Sequence, residues 1–150
     1  MPQLLVLAAG RQIITDKESS LVTIVSVFSG FSAQIQKDDA QLAPVAPLDW
    51  GLVAIFKRTQ EDTGKVYELR FRLIEPDGNV NFEVLAQFAM TELTHSLPVR
   101  SNGFPVAQEG TYTVTASLRE YDTEAEWQEV GQYPIDVIYL PPKESEAPDE

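Results

Sequence analysis

His95 is the only histidine in the sequence, and the chain contains no cysteine. A catalytic triad with a histidine base, or a metal site built from several histidines, would therefore depend on one residue. Ser96 is its neighbour, but consecutive residues of a strand point to opposite faces, so the two side chains are not expected to meet. Without cysteine there is no thiol nucleophile, thiolate metal site or disulfide. We therefore expect His95 to be structural or exposed.

The phosphate-binding loop of nucleotide enzymes is also missing from the sequence. Gly64 and Lys65 are followed by Val66, and Thr59 occupies the position of the earlier glycine, so the required pattern fails twice. Carboxylates are plentiful, with 23 Asp and Glu residues, but a glycosidase-like pair is recognised only in space. We interpret these carboxylates as solvated surface charge. The sequence predicts no catalytic residue, no cofactor and a protein that is not an enzyme.

Two acidic clusters are candidate oxygen ligands for calcium. The first is Asp38 with Asp39, and the second contains four carboxylates: Glu120, Asp122, Glu124 and Glu126. Calcium takes about six to eight oxygens from a shaped loop, and neither cluster has the spacing of a known calcium loop. We therefore predict no metal site and keep calcium binding as part of an alternative hypothesis.

The two tryptophans are candidates for a carbohydrate-stacking platform. Trp50 begins an apolar alternation, which favours a position in the core. Trp127 lies in an acidic stretch, and we interpret it either as an exposed contact or as the anchor of that segment. A carbohydrate- or calcium-binding module is thus the alternative to the function that the charge pattern favours.

The distribution of basic residues is the most informative feature of the charge pattern. The formal net charge is -12, yet five of the eleven basic residues gather around one predicted hairpin: Lys57, Arg58, Lys65, Arg70 and Arg72. A functional interpretation is docking with an acidic protein partner or with the acidic segment of a second copy. The alternative is a solvated strand face whose charges oppose edge-to-edge pairing. We predict a non-enzymatic interaction module, with these candidate contacts: Lys57, Arg58, Arg70, Arg72 and Trp127.

The same acidity argues against two other kinds of partner. Nucleic acids need clustered lysine and arginine, and anionic membrane surfaces repel a chain of this charge. No run approaches the roughly 18 apolar residues of a membrane span. Residues 1–9 lack a basic region, and their apolar stretch ends after about six residues, which is shorter than the apolar region of a secretory signal. We therefore expect a first strand there and a cytoplasmic protein.

A strand, a tight turn and a returning strand between Val66 and Val84 organise the predicted fold. Apolar and polar residues alternate along Val66–Leu73 and again after Asn81, which is typical of strands with one buried face. Pro76–Asn79 has the composition of a turn, with a glycine that accepts a positive φ. Two strands alone are not stable, so other strands must cover their apolar face.

The remaining segments predict more short strands. Leu21–Phe28 is apolar on both faces, which is typical of a central strand, and Thr111–Arg119 alternates cleanly. Residues 120–131 fit either a short helix, with Thr123 and Glu126 as its capping box, or a loop followed by a strand. Ser101–Gly103 has the composition of a loop.

Together these patterns predict an all-β domain over residues 1–140. Seven to nine strands, separated by turn signals about every 8–12 residues, favour a two-sheet antiparallel sandwich. The proline-rich, acidic residues 141–150 are predicted to be a disordered tail. The irregular residues 36–48 are predicted to be a long connection between the two sheets.

Three segments also carry a resemblance to a known family: Leu21–Phe28, Phe71–Gly78 and Glu109–Val114. In this order they resemble a family of small bacterial immunoglobulin-like β-sandwich proteins of unknown function, over nearly the whole chain before the tail. The resemblance implies an immunoglobulin-like sandwich and a bacterial cytoplasmic setting, with no assigned activity or site residues. Gly110–Tyr112 further resembles the Gly-x-Tyr of a tyrosine corner, in which a tyrosine hydroxyl ties a loop to the next strand.

Overall fold

The computed structural model describes residues 1–34 and 45–141, and nine strands lie within these ranges. They are β1 (Gln3–Thr15), β2 (Val22–Val27), β3 (Gly30–Gln34), β4 (Val45–Lys57), β5 (Val66–Ile74), β6 (Val80–Ala89), β7 (Thr94–Pro105), β8 (Gly110–Glu120) and β9 (Gln128–Leu140). A single 3₁₀ turn, Gln60–Asp62, is the only helical element in the part of the chain described. The prediction of an all-β chain with up to nine strands is confirmed.

The strands form two sheets around a common core. The first sheet has the order β2-β1-β4-β7 and the second β3-β9-β8-β5-β6. All neighbours are antiparallel except β3 and β9, which pair in parallel. The expectation of purely antiparallel sheets is therefore wrong at this edge. Only Phe28 and Ser29 separate β2 from β3, and they carry the chain from one sheet to the other, so β3 pairs with β9 instead of folding back on β2.

The predicted hairpin is confirmed and contributes much of the core. Tyr67, Leu69, Phe71 and Leu73 of β5 are all at most 2% exposed, so each of these large side chains stabilises the fold by about 1.5–3 kcal/mol. In the turn, the Glu75 amide donates to the Asn79 carbonyl at 2.8 Å. Gly78 has φ +92°, the conformation that its sequence position predicts.

Trp50 lies in the core, as its apolar alternation predicts. Its side chain is 3% exposed, and its indole N–H donates to the Gly103 carbonyl at 2.9 Å. A buried indole needs such an acceptor because an unpaired buried donor is costly. The prediction that Ser101–Gly103 is a loop is wrong, because these residues continue β7, where Asn102 pairs with Asp49. Gly103 has φ +81°, which lets the strand bend there without ending.

The prediction that Leu21–Phe28 is a central strand is wrong. Among the nine strands described, β2 is an edge strand whose one neighbour is β1, and Val25 and Val27 are 37% and 60% exposed. A strand that is apolar on both faces is usually covered on both faces, but composition does not show whether a neighbouring strand is present. Here Ile24 faces inward and lies against Gly10, at a position where a Cβ on the glycine would meet its side chain.

The ambiguous segment before β9 is a loop followed by a strand. Thr123 takes part in a turn: its hydroxyl donates to the Glu120 carbonyl at 2.8 Å, and the Ala125 amide donates back to it. No helix forms between Tyr121 and Trp127, and β9 starts at Gln128. The predicted tail beyond Pro141 and most of the predicted connection, including Asp38 and Asp39, lie outside the described residues.

The hydrogen bonds expected for a tyrosine corner are present at Tyr112. Its hydroxyl donates to the Gln108 carbonyl at 2.8 Å and accepts from the Gln108 amide at 3.1 Å. The aromatic ring is fully buried at the start of β8. One side chain thus fixes the loop before β8 to the strand that follows it.

We expect Tyr112→Phe to lower the free energy of unfolding by about 1–2 kcal/mol, because two backbone groups of Gln108 lose their partner. Thermal unfolding should then occur about 3–6 °C lower. Tyr121→Phe is the matched control, since Tyr121 is exposed and the change should stay within about 0.5 kcal/mol. Equal melting temperatures for the two variants would show that the corner does not stabilise the fold.

Candidate functional site: the arginine–tryptophan face

Strand pairing gathers charged side chains on the outer face of the second sheet. Because Tyr67, Leu69 and Phe71 point into the core, Glu68, Arg70 and Arg72 of β5 point outward. The neighbouring strand β8 adds outward residues in register: Arg119 opposite Glu68, and Ser117 opposite Arg70. Side chains directly opposite on paired strands are close enough to interact.

Trp127 covers part of this face. It directly precedes β9, whose pairing with β8 brings the indole over the sheet. The Cζ atom of Arg70 lies 4.5 Å from the centroid of the Trp127 ring, and that of Arg119 lies 4.2 Å from it. Such contacts contribute about 0.5–1 kcal/mol at exposed sites and more when water is excluded. We call Arg70, Arg72, Arg119 and Trp127 the arginine–tryptophan face.

Two of the three arginines have carboxylate partners. The Arg119 guanidinium donates to Glu68 through Nε at 2.9 Å and through Nη2 at 2.8 Å. Arg72 donates from Nε to Glu83 on β6 at 2.7 Å. Both pairs connect neighbouring strands, and the Glu68 side chain is largely buried. These two pairs stabilise the sheet and neutralise two of the three positive charges.

Arg70 differs from the other two arginines. Among the described residues no carboxylate forms a salt bridge with it, and its Nε atom is buried without a hydrogen-bond acceptor. Burial lowers the pKa of the Arg70 guanidinium, the Arg72 and Arg119 charges lower it further, and Glu83 opposes that change. Arginine nevertheless stays charged in proteins, so the folded state holds an uncompensated cation here.

Such an arrangement is suited to binding an anion. A guanidinium presents its donors in a fixed fork that matches carboxylates and phosphates, and its weak hydration favours partly buried ion pairs. Trp127 and the two neighbouring strands hold the Arg70 side chain in place, so less conformational entropy is lost on binding. A carboxylate that bound the accessible edge of the Arg70 guanidinium would supply the missing negative charge, whereas the buried Nε would gain an acceptor only if the Trp127 indole moved aside.

The structure brings together three of the five predicted contact residues, Arg70, Arg72 and Trp127. Lys57 and Arg58 lie elsewhere, at the end of β4 in the other sheet. The Arg58 guanidinium donates to the Thr91 carbonyl, and its amide donates to the Leu93 carbonyl at 3.0 Å, so this residue fixes a loop.

Sequence reasoning missed Arg119, which belongs to the arginine–tryptophan face. The clean alternation of β8 already placed it on the outer face of its strand. The sequence did not show that β8 pairs with β5, and it is this pairing that sets Arg119 opposite Glu68.

His95 does not take part in the arginine–tryptophan face. Its ring stacks on Phe88 with the centroids 5.1 Å apart, and burial lowers its pKa. On the neighbouring strand β4, Phe56 lies opposite His95 and Ile55 lies opposite Ser96. Because His95 and Ser96 are consecutive residues of a strand, their side chains point to opposite faces of the sheet. Within residues 1–34 and 45–141, no group of three His, Asp or Glu residues is placed to hold a metal ion.

Asp62 is a buried carboxylate that the sequence did not single out. It is 1% exposed and accepts three hydrogen bonds: from the Tyr67 hydroxyl at 2.6 Å, and from the Thr59 amide and hydroxyl at 2.7 Å each. Burial alone would raise the pKa of Asp62, but these bonds outweigh it and lower the pKa to about 2. Both carboxylate oxygens of Asp62 accept hydrogen bonds from residues of the fold itself, so we assign Asp62 a structural role. The sequence pattern that could have indicated the role of Asp62 is Thr59-x-x-Asp62, which is similar to a capping box.

Comparisons with known proteins do not assign the chain to a family. No family model matches it, and no curated protein matches it at a significant level. In the described part of the chain, no helix has the length and apolar character needed to cross a membrane.

Proposed function

We propose that the protein is a non-enzymatic interaction module with an immunoglobulin-like β-sandwich fold, and that its arginine–tryptophan face binds an acidic segment of a protein partner. The observation that carries this proposal is the partly buried guanidinium of Arg70, which has no carboxylate partner among residues 1–34 and 45–141. Buried polar atoms in native proteins almost always have a partner, and an exception calls for an explanation. An external carboxylate is the explanation that fits both the charge and the geometry of this site.

The strand order supports the immunoglobulin-like part of the proposal. The run β9-β8-β5-β6 corresponds to the order G-F-C-C′ of variable-type domains, and β4 beside β7 corresponds to B beside E. Tyr112 then occupies the tyrosine-corner position at the start of strand F. Two features are additional to that pattern: β1 lies between β2 and β4, and β3 pairs in parallel with β9.

A solvated strand face explains the arginine–tryptophan face less well. In such a face each guanidinium would extend into water, and the charges would serve only to prevent edge-to-edge pairing with strands of other molecules. Arg70 instead lies under an indole, with Nε removed from water and two like charges nearby. This placement is unfavourable for stability, so we attribute it to binding.

The chemistry of the face defines the kind of partner. Within the part of the chain that the structure describes, Arg70 is the one arginine of the face without a carboxylate partner, and it lies beside an aromatic ring; Arg72 and Arg119 are paired with carboxylates of the domain itself. A glutamate- or aspartate-rich segment would place one carboxylate on Arg70 and make weaker contacts with the other arginines. Because much of the gain is electrostatic and the site is partly exposed, binding should weaken as the salt concentration rises.

The test is the binding of a fluorescently labelled oligoglutamate peptide, followed by anisotropy. We expect Arg70→Glu to weaken binding about 10-fold to 100-fold, which corresponds to the loss of one charge-assisted hydrogen bond. Arg11→Glu is the matched control, because Arg11 is exposed on β1 and the change in net charge is identical. Equal losses in both variants would mean that the peptide senses only net charge, and the proposal would be wrong.

A further inference from the structure

One long stretch of the chain carries no charge, although the protein as a whole is strongly acidic. No charged residue lies between Glu18 and Lys37 in a chain of formal net charge -12. In the described part of this stretch, β2 forms the edge of the first sheet and β3 the edge of the second. The uncharged stretch therefore contains one edge strand of each sheet, β2 and β3, and the short crossing that joins them.

The other two sheet edges contain features that discourage pairing. Edge strands offer unpaired backbone groups, and proteins protect them with charges, prolines or bulges. The edge strand β7 contains Pro98 and Arg100, and the edge strand β6 contains Glu83. The segment Val22–Val27 contains no charge, proline or glycine, and β-branched residues predominate in it. Among the described edges longer than five residues, β2 is the one without protection.

Exposed apolar side chains line the same strand. Leu21 is 70% exposed, Val25 37% and Val27 60%, and they alternate along the chain, so they share the outward face of β2. Ile14 of β1, opposite Thr23, adds to this face and is 46% exposed. Clusters of exposed apolar side chains beside an open edge are typical of interaction sites.

We propose that β2 pairs antiparallel with β2 of a second copy about a two-fold axis, so that the two four-stranded sheets become one continuous sheet. A second copy fits this edge because two chains of charge -12 repel each other, and only an uncharged edge lets them approach without placing carboxylates face to face. A two-fold axis also brings identical, uncharged strands together. Ser26 has φ +53°, which interrupts the extended backbone and confines the ladder mainly to Val22–Val25.

Disulfide crosslinking tests this arrangement directly, because the natural chain has no cysteine. We expect the double variant Thr23→Cys, Val25→Cys to form disulfide-linked dimers on mild oxidation. A two-fold axis at position 23 or 24 sets position 23 of one copy opposite position 23 or 25 of the other, and paired strands bring such Cα atoms within disulfide range. Val80→Cys is the control, because Val80 is 49% exposed on the edge strand β6 of the other sheet. Equal crosslinking at Val80, or no crosslinking of the β2 double variant, would overturn the proposal.

Light scattering over a range of protein and salt concentrations provides a second, independent measurement. Because the contact is apolar and uncharged, the dimer fraction should rise between about 50 mM and about 500 mM salt as the mutual repulsion is screened. Val25→Glu combined with Val27→Glu should give a monomer, whereas Val80→Glu should behave as the natural protein. A monomer at every concentration of the natural protein, or a dimer that the double variant retains, would overturn the inference.

Peptide binding by the arginine–tryptophan face and dimerisation through β2 can be refuted independently of each other. Binding of an acidic peptide through the arginine–tryptophan face should weaken with salt, whereas the β2 contact should strengthen with it. Arg70→Met should dimerise as the natural protein does, and the Val25→Glu, Val27→Glu variant should still bind oligoglutamate. A dimer that depends on Arg70 would contradict the β2 contact and assign self-association to the other face.

Discussion

Asp62→Asn is expected to lower the free energy of unfolding by about 3 kcal/mol, with a melting temperature about 10 °C lower. The aspartate accepts three hydrogen bonds at a site that is 1% exposed. An asparagine offers one oxygen in place of two, so one donor from Thr59 or Tyr67 would face an amide NH₂ group. The charge that strengthens all three bonds would also be lost.

The loss should depend on pH in a defined direction. The pKa of Asp62 is lowered from 3.8 to about 2, so the folded state favours the carboxylate more than the unfolded chain does. Its contribution is therefore fully present above pH 3.8 and is lost as the pH falls through about 2, a change of about 2 kcal/mol. The difference in stability between the natural protein and Asp62→Asn should shrink over that range.

Chemical denaturation near neutral pH and again in acid would measure both effects. Asp49→Asn is the matched control, because Asp49 is exposed on β4 and should change the stability by less than about 0.5 kcal/mol. A difference between the natural protein and Asp62→Asn that stays constant down to pH 2 would contradict the lowered pKa.

The arginines of the arginine–tryptophan face should respond to the same substitution with opposite signs. Arg119→Met should destabilise the fold by about 2 kcal/mol, because Glu68 is largely buried and would lose its cationic partner. Arg119 itself is partly exposed, so the loss should be smaller than for a fully buried ion pair. Arg70→Met should stabilise the fold by about 1 kcal/mol, because it removes a buried nitrogen without an acceptor and a charge repelled by Arg72 and Arg119.

Arg72→Met provides the intermediate case, since its pair with Glu83 is exposed and should contribute less than about 1 kcal/mol. Urea unfolding of the three variants would rank them. If Arg70→Met were as destabilising as Arg119→Met, then Arg70 would be a structural residue. The attribution of its unpaired charge to binding would then be wrong.

Periodicity was sufficient to predict the strands that contribute most to the core. The alternation in β5 and β8 predicted which residues are buried, because the side-chain period of a strand is local information. The Pro76–Asn79 turn was predictable for the same reason. Tyr112 carried a local signal as well, and its hydrogen bonds to Gln108 agree with it.

The errors occur where the outcome depends on distant parts of the chain. β2 has the composition of a central strand but lies at an edge, because no other strand of the described residues pairs with its outer side. Ser101–Gly103 has loop composition, yet pairing with β4 keeps it in β7. The basic residues separated into two groups because β4 and β5 belong to different sheets, which spacing in sequence does not reveal. Arg119 joined Arg70 only through the pairing of β8 with β5.

The most direct test of the proposed function is a ¹⁵N NMR titration with oligoglutamate that follows side-chain N–H signals. The Arg70 Nε–H and the Trp127 indole N–H should shift as the peptide binds, because a carboxylate on the Arg70 guanidinium changes the electrostatic environment of both side chains, which are in contact. The Trp50 indole is an internal control, since it is buried and bonded to Gly103. Unchanged Arg70 and Trp127 signals at saturating peptide, or shifts confined to other arginines, would contradict the account.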